Sequence, residues 1–159
     1  MKRVSVRRSP VHGKGVFALR LLVAGERVFE YKGEVISWRR ASNRYRQNGS
    51  TGHTFLFGLA NGRVIDGGRG GNSARWLNHA CDANCTAFEI EGRVFIEAAI
   101  DIAAGEELFI SYALAVDDLR TDEVEQEYAC RCGSRSCRGT MLGIYAGTPE
   151  NSVVPHCEH

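Results

Sequence analysis

No apolar run between residues 4 and 112 lasts longer than a β-strand, because glycine and other turn residues cut the chain at short, regular intervals. "RVSVRR" alternates, and "GVFALR" and "ERVFEYKGEVIS" are rich in Val, Phe, Tyr and Ile. "HTFLFGL", "RVID", "CTAFEI", "RVFIEAAI" and "EELFISY" continue the series. Period-two patterning in pieces this short predicts a mostly β domain of short, twisted strands. With 159 residues the chain can build one domain with a real core, and is too short for two.

One stretch breaks the pattern. "SWRRASNRYRQNG" holds helix-forming residues behind Ser37, a suitable cap, and ends at Asn48-Gly49, so it predicts a short exposed helix. Arg39, Arg40, Arg44 and Arg46 give that helix a basic face, read here as solvated. "GNSARWLN" predicts another helical turn, "AVDDLRTDEVEQEY" an acidic helix or loop, and "TPENSVVPHCEH" a loose tail.

Charge excludes one class of function. The formal net charge is +1, with 25% charged residues, so no global field grips nucleic acid and no direct nucleic-acid binding is expected. The basic start "MKRVSVRRSP" is followed by no apolar segment, and no uncharged run approaches the roughly 20 residues of a membrane span. A soluble chain without a cleavable signal is the expectation.

The cysteines carry the first chemistry. None of the six precedes Cys81, and three crowd into "CRCGSRSC", which favours reduced thiols and a metal over a disulfide framework. Cys130, Cys132 and Cys137 follow C-x-C-x4-C in a polar, Arg-rich segment with no core to bury them. Three thiolates closing on one point make a tetrahedral zinc site that lacks one ligand. Cys81, Cys85, Cys157 or a histidine could complete it, Cys157 with His156 and His159 being the donor set in the tail.

Two other motifs are weak alone. Gly13 and Gly15 flank Lys14 in "HGKGVFA", which is a turn between strands or a bare backbone that lets a ligand approach. It lacks the pattern of a phosphate loop or a dinucleotide fingerprint. "AGEELFISYAL" predicts a strand delivering the Tyr112 phenol from its carboxyl end, with Glu106-Glu107 marking its exposed start.

Taken in order, "HGKGVFA", "EYKGEVI", "IDGGRGGNSARWLNHACDANC", "GEELFISY" and "CRCGSRSCRGTM" resemble the SET-domain protein-lysine methyltransferases with a post-SET zinc segment. The resemblance covers roughly Arg3 to Leu142. It implies small curved sheets around a pseudoknot, in which the segment holding Tyr112 is threaded near Asn78-His79. It also implies a SET domain over 3–113, an acidic connector over 114–128, a post-SET zinc segment over 129–145 and a flexible tail over 146–159.

The implied activity is methyl transfer from S-adenosylmethionine to a lysine amine in a protein or peptide tail, with histone tails the commonest family substrate. By the same resemblance Tyr112 is the catalytic phenol, and Tyr31, Phe55 and Ile110 line the lysine channel. Lys14, Gly15, Val16, Arg75, Asn78, His79 and Leu142 hold the cofactor. Cys81 becomes the fourth zinc ligand beside Cys130, Cys132 and Cys137, leaving Cys85 as plain core.

The chain departs from the family at Ala83, where proline is usual, and at Phe55, where a cofactor-contacting tyrosine is common. Ile110 stands where an aromatic often limits the number of methyls, so the product state is open. No cysteine cluster precedes the domain, as in minimal bacterial or viral members, for which a cytoplasmic location, or a host nucleus if delivered, is implied. Asp117, Asp118, Glu123, Glu125 and Glu127 suit a basic protein tail, though a solvated charged loop explains them equally. Two rival readings are a catalytically inactive SET-fold module that binds a protein tail, and a hydrolase using Cys81 and His79. Thiolates committed to zinc argue against the second.

Overall fold

The computed structural model describes residues 2–47, 55–112, 122, 126, 129–130, 132–141 and 153–154. Among the described residues the strands and the helix α1 are ordered as β1 (Val4–Arg8), β2 (Lys14–Ala18), β3 (Arg27–Tyr31), β4 (Glu34–Ser37), α1 (Trp38–Gln47), β5 (Leu56–Gly58), β6 (Arg63–Asp66), β7 (Asn78–His79), β8 (Cys85–Ile90), β9 (Arg93–Ala98), β10 (Glu107–Ile110) and β11 (Val153–Val154). Each apolar run quoted above supplies a strand or part of one, which is the outcome expected from period-two patterning.

The strands form three small sheets, in the orders β1-β2-β10-β7, β11-β5-β6-β4 and β3-β9-β8. In the first, β2 pairs antiparallel with both β1 and β10, while β10 pairs parallel with β7 through Phe109↔Asn78 and Ile110↔His79. The β8–β9 hairpin lies between β7 and β10 in sequence. A segment near the end of the chain is therefore laid beside one from its middle, and that parallel pair organises the site.

One continuous core joins the sheets. Val16, Leu22, Val94, Ile96, Ile102, Leu108 and Ile110 are fully buried within it, with Tyr31 and Cys85, and Trp76, Tyr112 and Met141 pack against its edge. Every residue of β2 after Lys14 is buried, so that strand is core on both faces rather than half-solvated. A second, smaller cluster of Ile36, Ala41, Leu56 and Val64 seats α1 on the β4–β6 pair.

The helix is capped as the sequence predicts, with the Arg40 amide donating to Ser37 Oγ at 3.2 Å. Its basic face is not wholly solvated, however. Arg44 turns inward, where its guanidinium meets Asp66 at 2.7 Å and Glu34 at 3.0 Å. Tyr45 donates to the same fully buried Asp66 at 2.6 Å, as does the Gly68 amide at 2.9 Å. A buried carboxylate needs such partners, and α1 supplies two of them.

"GNSARWLN" folds as expected, into a single 3-10 turn over Ser73–Trp76 capped by Asn72. Val153 and Val154, expected in a loose tail, pair with Phe57 and Leu56 as an edge strand. β-Branched residues suit an extended edge, and this pairing satisfies the outer backbone groups of β5. The acidic stretch lies almost entirely outside the described residues, together with Leu142 and Cys157. Among the described residues no helix is long and apolar enough to cross a membrane.

Candidate functional site

Three features lie near the β7–β10 pair: a sulfur cluster, two tyrosines of which Tyr31 is buried and Tyr112 half-buried, and a glycine-flanked loop beside two cations. Four sulfurs, from Cys81, Cys130, Cys132 and Cys137, lie within 4.8 Å of one another. Cys81 Sγ is 3.6 Å from Cys130 Sγ and 4.0 Å from Cys137 Sγ. Ligands about 2.3 Å from a tetrahedral zinc stand about 3.8 Å apart, whereas a disulfide needs about 2.05 Å. The spacing and the all-thiol donor set fit a structural zinc, and Cys81 fills the place the sequence left open.

The loop that carries three of these thiols is closed by backbone. The Cys130 amide donates to Gly139 O at 3.0 Å, and Gly133 and Gly139 turn with positive φ of 75° and 74°, where a side chain would be strained. The amides of Arg138 and Gly139 donate to Cys81 Sγ at 3.3 Å and to Cys137 Sγ at 3.4 Å. Burial pushes the Cys130 thiol up to about 12. At Cys132 burial acts the same way, but hydrogen bonds from the Cys81 and Ser134 backbone and from the Cys130 and Cys137 thiols together outweigh it and bring the thiol down to about 7. Cys85 stands apart, buried in β8, its thiol pushed up to about 12 by burial alone. It is core, as expected.

Tyr112 follows the end of β10. Its hydroxyl donates to Leu77 O, its amide donates to His79 Nδ1 at 2.9 Å, and its ring lies 5.3 Å from the His79 ring. Burial, followed by the Glu107 charge, holds its phenol well above the ordinary value. Tyr31 is fully enclosed by comparison, donating to Phe55 O at 3.0 Å and packing 5.3 Å from Phe57. Burial and then the neighbouring Tyr112 raise its phenol strongly. Both phenols therefore stay protonated and act as donors. Ile110 is 1% exposed and packs within the main core cluster.

The loop before β2 is held from beneath by a network that the sequence reading did not anticipate. Asn78 Nδ2 donates to His12 O at 3.1 Å, Lys14 O at 3.0 Å and Glu107 Oε1 at 2.9 Å. Ser9 Oγ donates to Glu107 Oε2 at 2.9 Å and accepts from the Val11 and His12 amides. Glu107 was expected at an exposed strand start, but it is only 8% exposed. The reason is steric and electrostatic together. Gly15 leaves room directly above it, since a Cβ there would stand 2.1 Å from Glu107 Oε1, and two neutral donors satisfy the carboxylate. Asn78 and His79 thus commit their side chains inward, beside the ladder that their backbone makes with β10.

On the open side of this loop, Lys14 Nζ lies 4.8 Å over the Trp76 ring and the Arg75 guanidinium 5.0 Å from it. Arg75 also faces the Phe55 ring at 5.6 Å, and Phe55 meets Trp76 edge-on at 5.0 Å. Trp76 escaped the sequence reading, although it sits inside the central motif. The nearby glycines are packed against backbone: a Cβ at Gly71 would stand 2.0 Å from Gly67 O, and one at Gly33 2.3 Å from Asp66 O. Arg75 Nε is buried and, among the described residues, has no hydrogen-bond partner. An orphaned cationic donor is costly, and the chemistry that would satisfy it is a carboxylate or similar acceptor. Val16, by contrast, is pure core, on a strand paired with Val6 on one side and Leu108 on the other.

A mostly β fold with a half-buried tyrosine just past a parallel strand pair, a buried tyrosine near it and a four-cysteine metal set beside it defines a class. The family description "SET domain" matches residues 13–113, and the chain belongs to the SET-domain family. It is 39% identical over 147 residues to a histone-lysine N-methyltransferase, H3 lysine-4 specific, of Saccharomyces cerevisiae, a match covering 88% of this chain and 13% of that protein. It is also similar to a solved structure described as ctPRC2 in an autoinhibited conformation bound to S-adenosylmethionine, with TM-score 0.64 and 35% identity over 70% of this chain and 15% of that one. A crystal structure of an active polycomb repressive complex 2 in the stimulated state gives TM-score 0.65 at 35% identity, with the same coverage. The chain thus spans a small part of the length of these relatives.

Proposed function

We propose that this chain carries S-adenosylmethionine-dependent methyl transfer to the side-chain amine of lysine in a protein tail. The observation that carries the reading is that Tyr112, held just past the β7–β10 pair, and Arg75, with its orphaned Nε, are both electrostatic neighbours of the buried Tyr31 on β3. The relative from Saccharomyces cerevisiae, named for histone H3 lysine 4, supports a histone or histone-like tail as substrate and chromatin as the place of action. The neighbour bound to S-adenosylmethionine supports the cofactor.

The residues fit that cofactor. Arg75 and Lys14 would meet its carboxylate, Trp76 and Phe55 would offer apolar surface, and the backbone of Gly15, Val16, Asn78 and His79 would lie against the rest. When bound, it supplies a methyl group on a sulfonium. The chain's own task is to prepare the amine. Lysine has a pKa near 10.4, so uncharging it at pH 7 costs roughly 4 to 5 kcal/mol. A dry setting made by Tyr31, Phe55 and Tyr112 disfavours the ammonium form. The protonated Tyr112 hydroxyl and the Leu77 carbonyl would hold the amine in line, and such positioning is worth far more than any single contact. A zinc held by Cys81, Cys130, Cys132 and Cys137 would serve structure alone, since all four positions are protein sulfurs.

Tyr112→Phe removes the hydroxyl and little else. Methyl transfer to a histone H3 peptide, followed with labelled cofactor, should fall by at least about a hundredfold, while calorimetric binding of S-adenosylmethionine is retained. Undiminished turnover would move the phenol out of the reaction. Cofactor binding without transfer to any protein tail, in the unaltered chain, would instead favour a binding module.

A further inference from the structure

We propose that His79 is a positioning residue linking the metal centre to Tyr112, its Nδ1 accepting from the Tyr112 amide while its Nε2–H donates to the sulfur of Cys81. The β7–β10 ladder ends at Ile110↔His79, with the Ala80 amide donating to Ile110 O at 3.3 Å. Tyr112 lies two residues beyond that ladder. Its amide is nevertheless held, at 2.9 Å, by the His79 ring, which takes the place of the next backbone acceptor.

The other face of the ring follows by chemistry. A nitrogen that accepts carries no proton, so the single proton of the neutral imidazole sits on Nε2. Nε2 is 3.4 Å from Cys81 Sγ, within reach of an N–H···S hydrogen bond. That sulfur already receives the Arg138 amide at 3.3 Å, so it collects two donors, as a metal-bound thiolate does. The ring is buried at 5% exposure and packed on the Tyr112 ring, so it has little freedom to serve one partner without the other. One rigid imidazole therefore spans from a zinc ligand to Tyr112, two residues past β10, and a shift of Cys81 is felt there. The link itself stands on geometry; its consequence for methyl transfer rests on the proposed function.

The two ends can be cut separately in the zinc-loaded full chain. Asparagine places a side-chain acceptor near Nδ1, and glutamine places a donor near Nε2. In His79→Asn the Tyr112 amide should keep its slow hydrogen exchange. Zinc transfer to a chelator should quicken by about 10 to 100-fold. In the cobalt-substituted form the thiolate charge-transfer bands should move to longer wavelength. In His79→Gln the bands and zinc retention should match the parent, while the Tyr112 amide loses protection. Both variants should lower kcat with little change in KM for the peptide.

Unchanged bands and zinc transfer in His79→Asn, or unchanged Tyr112 exchange in His79→Gln, would overturn the link. Nitrogen-15 spectra of the parent protein supply a test that needs no variant, since a ring protonated at Nδ1 would refute it outright. Failure of methyl transfer in every form would sink the functional reading and leave these spectroscopic arms intact.

Discussion

Two regions of this molecule are held together by opposite means. Around β2 and β10 the chain buries Val16, Leu108 and Ile110 to nothing or almost nothing exposed, and the sheet would persist on packing alone. The loop from Cys130 to Thr140 has almost no apolar contact of its own. Its five exposed residues, Gly133, Arg135, Ser136, Arg138 and Gly139, outnumber anything it buries besides sulfur. What gathers it is the convergence of its three thiols on Cys81. The difference teaches that the C-terminal segment is a dependent structure, docked through one residue of the middle motif.

The largest expected effect tests that dependence. Cys81→Ala should abolish stoichiometric zinc in metal analysis, because three remaining thiols cannot close a tetrahedron, and binding free energies of about 10 to 16 kcal/mol are available to lose. Limited proteolysis should then cut between residues 130 and 140 while the β2–β10 sheet stays protected. Unchanged zinc content would place the fourth ligand elsewhere. Chelation of the unaltered chain should reproduce the same cleavage, which separates metal loss from any effect of the substitution on folding.

Leu108→Ala makes the converse cut. It empties a fully buried site opposite Val16 and should cost about 2 to 5 kcal/mol in denaturant unfolding, with zinc stoichiometry unchanged in the folded fraction. A loss of zinc at native conditions would mean that the two regions are more tightly coupled than their contacts suggest.

The same contrast explains what could be read in advance. Strand-length runs, the Ser37 cap and the C-x-C-x4-C spacing are local, so neighbours in sequence carry the signal. Glu107 is different, because its burial depends on Ser9, 98 residues away, and on Asn78, 29 away. Nothing within "GEELFISY" distinguishes it from the exposed Glu106. Arg44 was likewise legible as a helix residue but not as the partner of Asp66, 22 residues on. Cys81 lay between these cases: the cluster declared a missing ligand, and only the fold could bring the middle of the chain to it. The inward turn of the Asn78 amide and the His79 ring also depends on partners that a motif does not name. Trp76 is the exception, a residue inside the quoted motif whose place between Lys14 and Arg75 follows from the 3-10 turn.

The smallest expected effect sharpens the comparison from the other side. Arg93 meets Glu30 in a well-formed two-pronged pair, Nε and Nη2 each 2.9 Å from a carboxylate oxygen, and lies 5.1 Å over the Phe95 ring. By geometry alone it is as well formed as anything in the site. The guanidinium is nevertheless exposed, with 63% of its side chain open to solvent, so water and salt screen the pair and its gain over hydration is slight. Arg93→Ala should therefore leave the unfolding midpoint unchanged within the scatter of replicate denaturant curves, at both low and high salt. A clear loss at low salt that vanishes at high salt would show that the β3–β9–β8 sheet leans on its surface charges. That sheet would then form a third regime, held neither by packing nor by a metal.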